Sequence, residues 1–440
     1  MNKNIKNTAL AICLLSIGGC GLFSDNKELP KGERIAIVAP KENLISSTAN
    51  SINLQLPSAY SNSSWLQDNG NEQHLMGNLS GTFNQQKWTA KFGEGSSKRK
   101  LLTTKPVVSQ NMVFVQDANG TVSAFNLDNG QKIWQQKIKP LIKNEQDNGS
   151  NGSGLALGND VIFASTGSGA LVALDLKNGK QIWRKELNLP LRSAPTICGQ
   201  KLLLQSINNT VVALDISNGN ELWRYSVPSE DTILSGNATP ACNIEKNFAV
   251  TGFSNGEIEA LNINTGSSLW STSLIGKNSF NTASGINVIK ASPVINEETI
   301  YAIGNNDNLA AISYRTGEKE WEHDIGGTTT PLLAGKYLFV LTNNNELTAL
   351  DKENGTVLWA TPLLNEYKLK EKSNIILNAP IMLNGNILIA ASNGIVYTVS
   401  ASNGTIIKKT DIGHELSTSP IIADNHVIFI TNNARLIVYK

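Results

Sequence analysis

The chain has 440 residues, and its 37 Lys and Arg balance 36 Asp and Glu, so there is no charge excess to attract a polyanion or an anionic membrane surface. Nucleic acid is excluded as an expected partner on that ground. Past the amino-terminal segment no stretch is apolar enough to cross a bilayer.

Lys3 and Lys6 form a short basic region, Ala9 to Ile17 is apolar but too brief for a transmembrane helix, and Gly18-Gly19-Cys20 follows. This order is that of a secretory signal. An apolar residue three positions before a Cys, with two small residues between, resembles the lipobox of bacterial lipoproteins, and Ile17-Gly18-Gly19-Cys20 fits it. The resemblance implies that residues 1–19 are a cleaved signal peptide and that Cys20 becomes the acylated, palmitate-bearing first residue. Several acyl chains together give stable anchoring. Gly21 stands where an Asp would retain such a lipoprotein in the inner membrane, so the implied address is the periplasmic face of the outer membrane.

Residues 20–64, rich in Ser, Asn, Lys and Pro, read as a flexible tether spanning on the order of 35–40 Å as a coil. The apolar island Ile35-Ala36-Ile37-Val38 either docks on the folded part as an extra strand or belongs to the linker; the sequence does not choose.

From residue 65 onward the chain is organised by a repeat: Ala, then Gly six residues later, then Trp four after that. Six sets carry it, namely Ala124, Gly130, Trp134; Ala173, Gly179, Trp183; Ala213, Gly219, Trp223; Ala260, Gly266, Trp270; Ala311, Gly317, Trp321; and Ala349, Gly355, Trp359. A seventh is degenerate, with Thr398, Gly404 and Lys408. Upstream of the sets stand Pro106, Pro195, Pro240, Pro293, Pro331, Pro380 and Pro420, with Gly154 in the equivalent place of the second repeat. The period of about 45 residues is that of propeller blades. Within a repeat, Val211-Val212-Ala213-Leu214-Asp215 alternates faces and ends in the turn signal Ser217-Asn218-Gly219 before the Trp-bearing strand. The prediction is an all-β fold, an eight-bladed β-propeller of four-stranded antiparallel blades, with the six Trp residues acting as structural staples between blades.

The eighth repeat starts at Pro420 and stops at Lys440, before its turn and Trp. Gly81 to Trp88 reads as the missing outer strand, closing the ring non-covalently and removing an open edge. Cys198 and Cys242 follow the Pro of neighbouring repeats by two to three residues. Equivalent positions in adjacent blades usually exceed the roughly 7 Å limit for linked Cα atoms. That favours two buried thiols over a bridge.

Ala-x-Asp-x-x-Asn-Gly-x-x-x-Trp, as in 173–183 and 213–223, resembles the tryptophan-docking motif of pyrroloquinoline-quinone-type propeller repeats. With the lipobox and eight repeats, the chain resembles the BamB family of outer-membrane assembly lipoproteins, and Trp65 to Asn78 is similar to the segment that opens many propellers of that family. The resemblance implies a non-catalytic scaffold of the barrel-assembly complex. Its partners would be the POTRA domains of BamA, other components of the complex and unfolded outer-membrane chains.

Two rivals share the fold: a quinone-dependent periplasmic dehydrogenase, and a propeller binding envelope polysaccharide or another lipoprotein. A dehydrogenase of this repeat family would be expected to carry adjacent cysteines and a calcium site with a catalytic Asp. No adjacent pair exists, and His74, His323, His414 and His426 stand singly, which fits solvated loop residues. Asn305-Asn306-Asp307-Asn308 lacks the later acidic residue of a calcium loop and reads as a blade turn. No cofactor, metal or catalytic residue is expected.

For a scaffold the informative loop is Leu189-Pro190-Leu191-Arg192, where a leucine pair beside Arg has the composition of an interface hot spot. The family resemblance implies that Leu189, Leu191 and Arg192 contact BamA; the alternative is that both leucines cap the core. On the next loop Asn237 stands where the family carries an acidic residue, and Glu230 or Asp231 could substitute.

Overall fold

The computed structural model describes residues 53–98, 100–139, 154–191, 193–228, 238–275 and 287–440. They form eight blades. Blades 1 to 7 span 107–137, 154–186, 196–226, 241–273, 294–323, 332–362 and 381–411; blade 8 takes three strands from 421–439 and its outer strand, Gln86–Lys91, from the other end of the chain. The strand that closes the ring therefore carries Trp88 as expected, but begins later than Gly81. It pairs antiparallel with Arg435–Tyr439, Trp88 opposite Val438.

Each blade is a four-stranded meander. In blade 3, Thr196–Cys198 lies nearest the axis, Lys201–Gln205 and Thr210–Asp215 follow, and Glu221–Ser226 is outermost. Middle strands are buried on both faces because neighbouring blades cover them, which is why they read as continuous apolar runs; the outer strand buries little besides its Trp. A single helical turn, Leu369–Lys372, decorates the connection between blades 6 and 7.

The Trp side chain fastens each blade to the next. Trp134 of blade 1 lies on Gly179 of blade 2, where an added Cβ would meet its ring at 2.5 Å, and its indole N–H donates to the Leu176 carbonyl at 2.8 Å. Gly179 also has φ +70°, so glycine is required both for the turn and for the ring above it. The same seat recurs at Gly219 under Trp183, Gly266 under Trp223, Gly317 under Trp270, Gly355 under Trp321 and Gly404 under Trp359. Trp88 completes the set on Gly130, donating to the Leu127 carbonyl at 2.8 Å. The junction from blade 7 to blade 8 is the exception, and its cause is topological. The turn on which a Trp at position 408 would rest is the place where blade 8 changes from Tyr439 to Gln86 without a covalent link, so there is no glycine to cover.

Residues 54–82 add a feature that the repeat does not announce. This segment makes one circuit of the axis, touching the innermost strands in order. Asn62 accepts from the Asp424 N–H in blade 8; Trp65 exchanges two backbone bonds with Val108 in blade 1; the Leu66 carbonyl accepts from Leu157 in blade 2; and the Gln67 side chain accepts from the Ile197 N–H in blade 3. Glu72 and Gln73 accept from Cys242 and Ile295 in blades 4 and 5, Leu75 packs in the cluster of Leu333 in blade 6, and Asn78–Leu79 pairs in parallel with Met382 and Leu383 in blade 7. Inner-strand N–H groups that would otherwise be bare sheet edges are thereby satisfied. Among the described residues packing reaches back to Leu54, which sits in a cluster with blades 6 and 7 and donates to the Ser402 carbonyl, so the stretch 54–64 that the sequence reading gave to the tether is packed on the blades. Cys20 and the island 35–38 lie outside the described residues.

The expectation of two free thiols is overturned. Cys198 and Cys242 form a disulfide with Cα atoms 6.3 Å apart, joining the innermost strands of blades 3 and 4. Blades converge toward the axis, so their first strands approach far more closely than their middles, and the spacing typical of adjacent blades does not apply there.

Candidate functional site

Described residues that lead into the innermost strands of successive blades line one cavity at the axis. The connection from blade 2 to blade 3 carries the leucines singled out in the sequence. It is pinned on both sides: Leu187 N–H donates to the Gly169 carbonyl, Ile207 N–H donates to the Pro190 carbonyl, and Leu191 bridges Ser206. The backbone bends between the strand end at Glu186 and the bridge at Leu191, with Asn188 at φ +53°. Leu187 and Leu191 are buried, Leu189 is half-buried, and Asn188 and Pro190 are exposed. Leu191 is fully buried, packed in one cluster with Phe163, Leu171, Leu202 and Val212 between blades 2 and 3. The expectation of an exposed leucine pair is thus corrected: Leu191 is core, which is the alternative the sequence left open for it. Arg192, Asp231 and Asn237 lie outside the described residues.

At the axis this cavity is a funnel of about 500 Å³. Its wall is built by residues just before each blade's first strand, among them Ser193, Thr239, Ser292 and Thr330. Arg192 and Asn237 precede two of these wall positions in the chain, so both halves of the sequence-derived partner site belong to connections that also shape the funnel.

The circling segment supplies the floor. Asp68 pairs with Lys105 at 2.7 Å and accepts from the Thr239 hydroxyl at 2.8 Å, while Lys105 also donates to Asn69 Oδ1 at 2.8 Å. Burial alone would raise the Asp68 carboxyl, but the Lys105 ammonium and these hydrogen bonds hold it below the usual carboxylate range. Beside them His74, with φ +60°, donates from Nδ1 to the Pro293 carbonyl at 2.7 Å. Burial pushes its imidazole down to about 4, partly opposed by that bond and by Asp68, so at neutral pH the ring is uncharged.

The histidines therefore differ from the solvated residues expected. His74 and His426 are buried, the second in blade 8 with Lys87 Nζ 3.3 Å from its Nε2; His323 leans on Trp321, and His414 is exposed. Asp307 sits in a blade turn at φ +54°. Among the described residues no three His, Cys, Asp or Glu side chains are grouped to hold a metal ion.

Eight four-stranded blades, Trp-on-Gly staples and a closing strand from the far end of the chain define a propeller of the pyrroloquinoline-quinone-type repeat class. A family model described as "Outer membrane protein assembly factor BamB" matches residues 78–143 and 118–361, and the chain belongs to that family. BamB of Moranella endobia is 23% identical over 337 residues, 76% of this chain and 84% of that protein. The crystal structure of BamB from Moraxella catarrhalis superposes with a TM-score of 0.69 at 20% identity, covering 81% of this chain and 99% of that one. A quinohemoprotein alcohol dehydrogenase from Comamonas testosteroni also superposes, with a TM-score of 0.65 at 11% identity over 85% of this chain and 80% of that one, a likeness of fold alone.

Proposed function

We propose that this assembly factor acts as a non-catalytic scaffold, anchored through Cys20 to the periplasmic face of the outer membrane and holding BamA by its POTRA domains. The observation that carries the reading is the family match across the blades, because it names assembly and not oxidation. The connection at 187–192 supports the residue-level part. Its backbone is fixed by neighbouring blades, so Asn188, Pro190 and the exposed part of Leu189 are presented rigidly, and little ordering entropy is lost on contact. Leu191 supports that loop from beneath. Asp231 and Asn237, on the following connection, are assigned to the rim of the same contact.

Client chains would meet the circumference. The inner edges are occupied by the circling segment, whereas the outer strands of blades 1 to 4 expose Ile133, Ile182, Leu222 and Leu269 beside a free sheet edge, where an extended apolar strand can pair by main-chain hydrogen bonds. The scaffold reading is tested by capture of purified POTRA domains on the full-length lipoprotein. Leu189→Ser combined with Arg192→Glu should weaken capture at least tenfold at an unchanged melting temperature, since hot-spot truncations cost about 2 kcal/mol or more. Undiminished capture by the folded variant would remove this loop from the interface.

A further inference from the structure

We propose that the axial funnel is a binding site for a carboxylate carried on an apolar group, with Lys290 as its counter-ion. Lys290 lines the funnel just before the first strand of blade 5. Among the described residues its ammonium has no hydrogen-bond or ion-pair partner, whereas the other lysine of the wall, Lys105, is committed to Asp68 and Asn69. Among the described residues the funnel thus holds one uncompensated positive charge. Burial depresses the Lys290 ammonium below its ordinary value, which is the expected response of a cation drawn from water without an anion beside it.

Hydroxyls suited to a carboxylate's second oxygen line the same cavity. Thr329 lines the same cavity with a buried Oγ1 that has no partner, and the Ser292 hydroxyl, which accepts from the Thr239 N–H, keeps its own proton to donate. One free cation with neutral donors matches a monoanion; a doubly charged phosphate would leave a net buried negative charge. The apolar requirement comes from the lining residues Leu101 and Ile376, exposed at 43% and 69%, which offer contact where the cavity meets solvent. The volume of about 500 Å³ lies within the range of small-ligand sites. Such a carboxylate can arrive as a free small molecule or as the carboxy terminus of a polypeptide. The inference does not depend on whether the protein holds BamA.

The test is calorimetric titration of the full chain with phenylacetate, with an acetylated pentapeptide ending in Phe as the free acid, and with the same peptide amidated. Saturable binding of at least one acid, at least tenfold weaker for the amide and for Lys290→Met and restored by Lys290→Arg, is expected. Lys290→Met removes a half-buried charge that has no partner among the described residues, and the variant should fold at least as stably as the parent. A tenfold preference for the peptide acid assigns the site to chain ends, and the reverse preference to small molecules. The proposal is overturned if neither acid saturates below about 10 mM, if acid and amide bind alike, or if folded Lys290→Met binds as the parent does.

Discussion

His74 gives the circling segment a measurable signature in pH. Its ordinary value is near 6.5, and in the fold it is pushed down to about 4 by burial against blade 5. Between those values the unfolded chain binds a proton at this site that the folded chain does not, so stability is fully present above pH 6.5 and falls as pH drops toward 4. Each pH unit crossed removes up to about 1.4 kcal/mol, on the order of 3 kcal/mol in all. His426 is depressed in the same direction, also chiefly by burial, and adds its own slope in this window. Asp68, held below its ordinary value, loses its contribution only at lower pH, as it protonates through the carboxylate range. His74→Asn isolates the first effect, because Asn tolerates the positive φ at this position and its amide can donate to the Pro293 carbonyl. Guanidinium unfolding from pH 7.5 to 4 should show the variant losing up to one proton's worth less slope than the parent. Parallel stability curves for the two proteins would refute the buried, neutral His74 and with it the packed circuit around the axis.

Three further outcomes follow from the staples, the bridge and the anchor. Cys198→Ala with Cys242→Ala should lower unfolding free energy by about 4 kcal/mol, the loop-closure value for a separation of 44 residues, and the parent should show no free thiol in this pair on denaturation without reductant. Trp88→Ala, which opens the only junction closed by the amino-terminal strand, should cost about 3 kcal/mol by guanidinium melt, while Lys408→Trp should add no stability because no glycine turn faces it. An unchanged melt for Trp88→Ala would mean that the ring closes without this strand. Cys20→Ala should move the protein from the membrane fraction to the soluble periplasm, and its persistence in outer membranes would remove the lipid anchor.

How much of this was legible before the structure depended on whether a residue obeyed the repeat. Trp134 through Trp359 were readable because each meets the same glycine turn in the next blade, and even the loss at Lys408 has its reason in the break between Tyr439 and Gln86. Residues 54–82 obeyed no period because each one meets a different blade: Gln67, Asn69 and His74 are buried polar groups whose partners lie far along the chain. Cys198 and Cys242 were misread because a spacing true of blade middles was applied at the axis. Leu189 and Leu191 share one local composition, and only the bend at Asn188 above the cluster between blades 2 and 3 makes Leu191 core while Leu189 stays half-buried. The funnel is assembled from single residues before each blade, and nothing in their local sequence distinguishes Lys290 from a surface lysine.

The central claim is that this propeller works as a component of the outer-membrane assembly machinery and not as an enzyme. It is tested most directly by gentle detergent extraction and affinity purification of the full-length lipoprotein from its own envelope, with mass spectrometry of what accompanies it and an absorbance spectrum of the same preparation. The account predicts BamA in stoichiometric amount, lost with Leu189→Ser and Arg192→Glu, and a spectrum featureless above the aromatic band. A preparation without BamA that carries a stoichiometric quinone chromophore and oxidises alcohols or sugars would contradict it.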